Sequence, residues 1–247
     1  MAKLFVSGCS FSDYTLVEKN WGENLAESLG MEYVHMNKGG GSNDRGWREI
    51  SWKILEGEIT SQDLVILQYT NIDRREFGAT ELGYQDYDDD PKRFHHKEKF
   101  CNSLGTFYTT AFKYGSHAWQ SSSWDTMLHL AYEHTGAISE KYNECHFITQ
   151  HMMFDSLCRQ HGINIMYLRT RYMDDRLEFP ADNVFYEHHH LSLQAPNETM
   201  LGHIPGHPDP DKYDPSHLSE HGHALLAQLV QEYLIEQGMV VTDVKTS

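Results

Sequence analysis

Residues 3–12, Lys3-Leu4-Phe5-Val6-Ser7-Gly8-Cys9-Ser10-Phe11-Ser12, carry the reading that decides the fold. Lys3 to Ser7 is a short apolar run that stops at Gly8, the pattern of a buried strand with a tight exit turn. Ser10 falls at that turn. Downstream, Asn20 to Leu29 places Trp21, Leu25 and Leu29 at helical spacing and stops at Gly30, and Met31 to Met36 reads as a second strand. The unit is strand, helix, strand.

A glycine-rich turn, Asn37-Lys38-Gly39-Gly40-Gly41-Ser42-Asn43-Asp44, leads into a predicted helix through Lys53 and Ile59, and Asp63 to Gln68 supplies a third buried strand with Asn71 just past its end. Ser139 to His161 has helical composition and stops at Gly162, Ile163 to Leu168 is a fourth strand, and Leu218 to Ile235 is an amphipathic helix. Residues from about 74 to 138 read as an insertion with one or two helices, Arg74-Arg75-Glu76 as a salt-bridged helix start in preference to a substrate contact, and Asp86 to Asp90 as a solvated acidic turn. Six of the seven prolines (Pro180, Pro196, Pro205, Pro208, Pro210, Pro215) crowd residues 180–215, which predicts a long ordered loop shaping a site. Alternating strands and helices over 247 residues imply one α/β domain, 1–247, with a mostly parallel sheet covered on both faces and functional groups at the carboxyl ends of strands.

Composition narrows the function. Acidic residues outnumber basic ones 36 to 20, a formal charge of -16, which repels nucleic acid and anionic membrane surfaces. The four cysteines, Cys9, Cys101, Cys145 and Cys158, lack paired spacing and suit a reducing, cytoplasmic setting rather than a disulfide framework or a cysteine zinc site. Val6-Ser7-Gly8-Cys9 has the look of a lipoprotein cleavage box, yet only five residues precede it, too few for an export signal. No apolar run reaches the ~18 residues of a membrane span. The 17 histidines include clusters at His188-His189-His190, His203 and His207, and His217, His221 and His223. Loop spacing alone does not make a zinc site, so neither a metal nor any other cofactor is expected.

Asp214-Pro215-Ser216-His217, ahead of the last helix, pairs a carboxylate with an imidazole three residues later. An Asp so placed can seat the imidazole from the same turn, accept its Nδ1 proton and leave Nε2 to deprotonate a hydroxyl. Ser10 is the hydroxyl in question, with Ser12 as the alternative nucleophile further into the turn. Backbone N–H groups of Ser10 and Gly41, with Gly40 as a rival, and the amide of Asn71 would meet the developing oxyanion. Cys9, one residue early, is expected to point into the core.

These blocks resemble the SGNH, or GDSL-type, hydrolase family over nearly the whole chain. The first looks like Gly8-Cys9-Ser10-Phe11-Ser12, the second like Asn37 to Asn43, the third like Tyr69-Thr70-Asn71-Ile72, and the clearest like Asp214-Pro215-Ser216-His217. The resemblance implies a flavodoxin-like three-layer α/β/α fold, a Ser10–Asp214–His217 triad, and hydrolysis of an ester, thioester or O-acyl sugar through an acyl-serine. Three positions depart from the family pattern: Cys9 replaces an Asp, Tyr69 stands where a glycine is usual, and Ile72 replaces an Asp. Related bacterial and phage proteins often read Gly-Cys-Ser-Phe in the first block. The competing expectations are a binding or structural module on the same fold, such as a virion component, and a histidine-rich metalloenzyme. The acyl donor and the oligomeric state are not written in the sequence.

Overall fold

Leu4 and Val6 of the first strand enter one apolar cluster and Phe5 enters another, so consecutive side chains of this strand are buried on opposite faces. A sheet covered on both sides is the consequence of that alternation. The computed structural model describes residues 1–9, 11–12, 17–37, 41–70, 72, 74–79, 106–111, 140–169, 190–192, 201–203 and 213–240. Of these, 74–79, 106–111, 140–143, 190–192, 201–203 and 213–217 are described as backbone.

The elements in chain order are β1 (Lys3–Ser7), α1 (Trp21–Leu29), β2 (Glu32–His35), α2 (Asn43–Leu55), β3 (Leu64–Gln68), β4 (Arg74–Ala79), β5 (Thr106–Ala111), α3 (Glu140–Gln160), β6 (Asn164–Arg169), β7 (His190–Ser192), β8 (Leu201–His203), β9 (Tyr213–Leu218) and α4 (Glu220–Glu236). The main sheet runs β2-β1-β3-β6, with the three-residue β7 at the β6 edge, and every pairing in it is parallel. Leu4 sits opposite Leu64, Val6 opposite Ile66, and Val65 opposite Ile165.

On one face Leu4, Val6, Leu64, Ile66, Met166 and Leu168 pack with Trp21 and Leu25 of α1 and Leu226, Val230 and Leu234 of α4. On the other, Phe5, Val65, Leu67, Ile165 and Tyr167 pack with Ile50 and Ile54 of α2 and Phe147 and Phe154 of α3. Each such side chain, taken fully out of water, contributes roughly 1.5–3 kcal/mol, which is why the strands read as near-continuous apolar runs. No helix among the described residues is long and apolar enough to cross a membrane.

Local signals fix the element ends. Asn20 caps α1 by accepting from Glu23 N–H at 2.9 Å, and Gly30 closes it at φ 65 with Met31 N–H reaching back to Ala26 O at 2.9 Å. Gly162 ends α3 in the same way at φ 63. The helix expected through Ile59 stops at Leu55 instead, because the chain turns at Gly57 and Ile59 is buried in the core. Leu218 likewise belongs to β9, and α4 begins beyond the Ser219 cap.

Two further expectations are corrected. Within 74–138 the described residues form an antiparallel pair, β4 with β5, and Arg74-Arg75-Glu76 lies in a strand rather than at a helix start. The β-branched and aromatic run Thr106 to Thr110 favours that outcome; the helices expected there, and Asp86 to Asp90, lie outside the described residues. Residues 180–215 are not one uninterrupted loop: β7, β8 and the start of β9 fall within them. Pro215 is tolerated in β9 because the ladder slips there. Gly202 pairs with Asp214 and Leu201 with Leu218, so Pro215, Ser216 and His217 have no counterpart in β8.

Asp63 ties the starts of β1 and β3, its carboxylate accepting from Lys3 N–H at 2.9 Å and from Thr60 N–H at 2.9 Å and Oγ1–H at 2.8 Å. Burial pushes its pKa up, but the hydrogen bonds from Thr60 and Lys3 outweigh that and hold it below the usual carboxylate value. A depressed folded-state pKa contributes stability above the unfolded value of about 3.9 and loses it as pH falls through the folded one. Asp63→Asn is therefore expected to destabilise the protein at pH 7 and to match the unsubstituted chain once the carboxylate is protonated, checked by denaturant titration at pH 7 and across the acid limb. Gly30→Ala meets no atom within 4 Å, so its cost is backbone strain alone, about 1–2 kcal/mol in the same assay.

Candidate active site

β1 and β3 are neighbours, yet the chain leaves β1 toward β2 on one side and β3 toward β6 on the other. In open parallel sheets ligands bind outside the carboxyl ends of the strands at such a switch point. Ser7 and Gln68 are the last strand residues on either side of it.

Gly8 decides how the exit of β1 packs against the end of β3. A Cβ there would meet Gln68 Oε1 at 2.5 Å, Gln68 Cβ at 3.0 Å and Ser12 Oγ at 3.1 Å, so only a residue without a side chain lets the Gln68 amide lie across the exit of β1. Gln68 Oε1 accepts from Ser12 Oγ–H at 2.8 Å and from Cys9 N–H at 3.3 Å, while Nε2 donates to Tyr69 O at 2.7 Å. Ser12 N–H donates to Cys9 O at 2.9 Å, closing the chain around position 10. Ser10 itself lies outside the described residues. Cys9 is buried as expected, and Ser12, fully buried and bonded on both sides, is a structural hydroxyl rather than an available nucleophile.

From Ser12 the bonding continues across the fold. Trp21 Nε1–H donates to Ser12 Oγ at 2.8 Å, and Trp21 N–H donates to His223 Nδ1 at 3.0 Å, a contact between residues 202 apart in sequence. Nδ1 accepts there, so the His223 proton sits on Nε2. The amino end of α4 is thereby fastened to the amino end of α1 and through it to the ends of β1 and β3.

Gly41 is buried just ahead of α2, whose cap is Ser42 accepting from Arg45 N–H at 3.2 Å. Asn43 clamps the end of β3: its Nδ2 donates to Thr70 O at 3.0 Å and its Oδ1 accepts from Thr70 N–H at 2.9 Å. Arg45 donates to Met36 O at 2.8 Å and pairs with Glu49 at 3.0 Å, both side chains buried, which closes the loop between β2 and α2. Asn71 lies outside the described residues, between the clamped Thr70 and the buried Ile72.

Asp214 and His217 are described as backbone, in β9. The single turn expected for this segment is corrected to an extended strand with a slipped ladder, in which Tyr213, Asp214 and Leu218 pair with β8 and Pro215, Ser216 and His217 do not.

The other face of the β3 end holds a polar cluster that no sequence motif announces. Tyr69 and Tyr167 stack at 5.5 Å and 9°; Tyr69 OH bonds His151 Nδ1, and Tyr167 OH donates to Asp155 Oδ1 at 2.9 Å, with Arg159 Nε donating to Asp155 Oδ2 at 2.9 Å. Burial and then the Asp155 charge raise Tyr69 well above its usual pKa, and burial leads the same shift in Tyr167. The same two causes push the Cys158 thiol up to about 12, so it is not a reactive thiolate. The i, i+4 spacing of His151, Asp155 and Arg159 on α3 is the one sequence signal for this cluster. Tyr69, where the resembled family has a glycine, leaves the backbone regular, since its N–H donates to Leu168 O at 2.9 Å.

Among the described residues no group of three or more His, Cys, Asp or Glu could hold a metal ion. The side chains of His188 to His190, His203, His207 and His217 lie outside them. No family model matches the chain, and no curated protein matches it.

Gly8→Ala is expected to displace the Gln68 amide and cost about 1–3 kcal/mol, as overpacking of a filled site does. Denaturant unfolding should show that loss, and indole N–H exchange at Trp21 should accelerate with it.

Proposed function

We propose that this chain is an SGNH-type serine hydrolase with a flavodoxin-like architecture, acting on a small-molecule or glycan ester, a thioester or an O-acyl sugar. Ser10 attacks the acyl carbon as His217 takes its proton. Asp214 orients the imidazole and offsets its charge in the transition state. The tetrahedral oxyanion is met by the N–H groups of Ser10 and Gly41 and the side-chain amide of Asn71. Collapse expels the alcohol or thiol, protonated by His217, and leaves acyl-Ser10. A water deprotonated by His217 then releases the acid and regenerates the serine. These residues need no cofactor for either half-reaction.

The observation that carries this reading is the buried hydrogen-bonded path Gln68–Ser12–Trp21–His223. It fastens the helix after β9 to the residues on both sides of position 10. The Asn43–Thr70 clamp adds support by tying the Gly41 turn to the residue ahead of Asn71. The charge of -16 favours a substrate that is neither nucleic acid nor an anionic membrane.

A second reading, a binding or structural module such as a virion component, is favoured by Ile72. This apolar side chain, 4% exposed, stands where the family carries an acidic residue.

A fluorophosphonate probe separates the two. It should label the unsubstituted chain at Ser10, and Ser10→Ala should abolish both labelling and p-nitrophenyl acetate hydrolysis. The unfolding midpoint should move by no more than about a degree or two, since a nucleophile must stand open to substrate and such positions tolerate substitution. Asn71→Ala should lower kcat about 10²- to 10³-fold, the cost of one oxyanion donor. A chain that takes up no probe, or labels equally after Ser10→Ala, excludes the acyl-serine mechanism and leaves the binding module.

A further inference from the structure

The apolar clusters of the two sheet faces are packed with aliphatic and aromatic side chains, and neither depends on the hydroxyl of Ser12 or the indole N–H of Trp21. Yet those two groups and the Gln68 amide are saturated with one another. Ser12 and Trp21 are fully buried, and Gln68 and His223 are 2% exposed, so water cannot replace a lost partner. We infer that Gln68, Ser12 and Trp21 are positioning residues, which couple the turn around position 10 to the amino end of α4 and so set the separation of nucleophile and base. This rests on the hydrolase reading.

Three features of the bonding support it. The indole N–H can only donate, so Ser12 Oγ must accept from Trp21 and turn its own proton toward Gln68 Oε1. Gln68 Oε1 also takes Cys9 N–H, which leaves Nε2 to donate to Tyr69 O and fixes the amide orientation. The donors thus run in one direction from α1 to the end of β3, an arrangement in which each bond polarises the next. Trp21 in addition directs its backbone N–H to His223 Nδ1, which joins the α1 amino end to α4.

The endpoints matter more than the bonds. Cys9 and Ser12 bracket Ser10, Gln68 precedes Asn71 by three residues, and His223 comes six after His217. Side chains in these places touch no substrate, but a shift of ~1 Å between catalytic groups costs on the order of 10²-fold in rate. A relay of this kind acts on kcat rather than on substrate affinity.

Trp21→Phe keeps the ring and removes the donor, and Ser12→Ala removes the hydroxyl. Both variants and their combination are compared with the unsubstituted chain in p-nitrophenyl acetate hydrolysis and in the rate of fluorophosphonate labelling. Hydrogen exchange is read in the same samples over peptides covering residues 8–12 and 213–223. Each variant is expected to lower kcat and the labelling rate tenfold or more with KM within twofold. The combination should fall no further than the worse single variant, and both peptides should lose protection together in either one. A kcat within twofold of the original, additive losses, or exchange confined to the peptide nearer the substitution overturns the inference. If the unsubstituted chain takes no label, the hydrolase reading fails, and the exchange data alone judge the relay: joint loss upholds the coupling and local loss rejects it.

Discussion

β1 and β3 have helices against both faces, and this double burial governs where every polar group near them can go. A hydroxyl or amide in the middle of either strand would be stranded between apolar layers at a cost of several kcal/mol. Leu4 to Val6 and Leu64 to Leu67 accordingly carry no polar atom beyond the backbone. Polar side chains are left to the strand ends, and the connections diverge after β1 and β3, the point at which open parallel sheets bind ligands.

At the end of β3 the pleat sorts consecutive residues into two different networks. Gln68 turns toward the α1 and α4 face, where it holds Cys9 and Ser12. Tyr69 turns toward the α2 and α3 face, stacks on Tyr167 and bonds His151. Thr70 is then gripped through both its backbone groups by Asn43. Three successive residues are thus fixed from three directions, and the entropic cost of that order is offset by the bonds and packing that hold them. The bulky Tyr69 and the buried Ile72 are part of that order: they fill the face beneath the strand end with apolar surface.

The two networks also differ in electrical character. On the Tyr69 side burial raises the pKa of both phenols and pushes the Cys158 thiol up to about 12, and the Asp155 carboxylate is paired with Arg159. On the Gln68 side the groups are an amide, a hydroxyl, an indole and an imidazole accepting at Nδ1. Partners of this kind supply direction through donor and acceptor geometry rather than through an ion pair. That quality suits the acyl transfer proposed above, in which the charge that matters appears only in the transition state.

Periodicity and helix stops were legible in the sequence. The runs Lys3 to Ser7, Asp63 to Gln68 and Ile163 to Leu168 became β1, β3 and β6 within a residue at each end, and Gly30 and Gly162 end their helices, because burial on a sheet and a left-handed backbone are demands that single residues answer locally. Strands written among prolines and polar residues, β7, β8 and β9, were not legible, since their pairing partners and not their own composition make them strands. Nor was the significance of Gln68, Ser12, Trp21 and His223. Hydrogen bonding between residues 9 to 202 positions apart leaves no periodic trace, and only folding, by removing water from all four at once, decided that they answer one another.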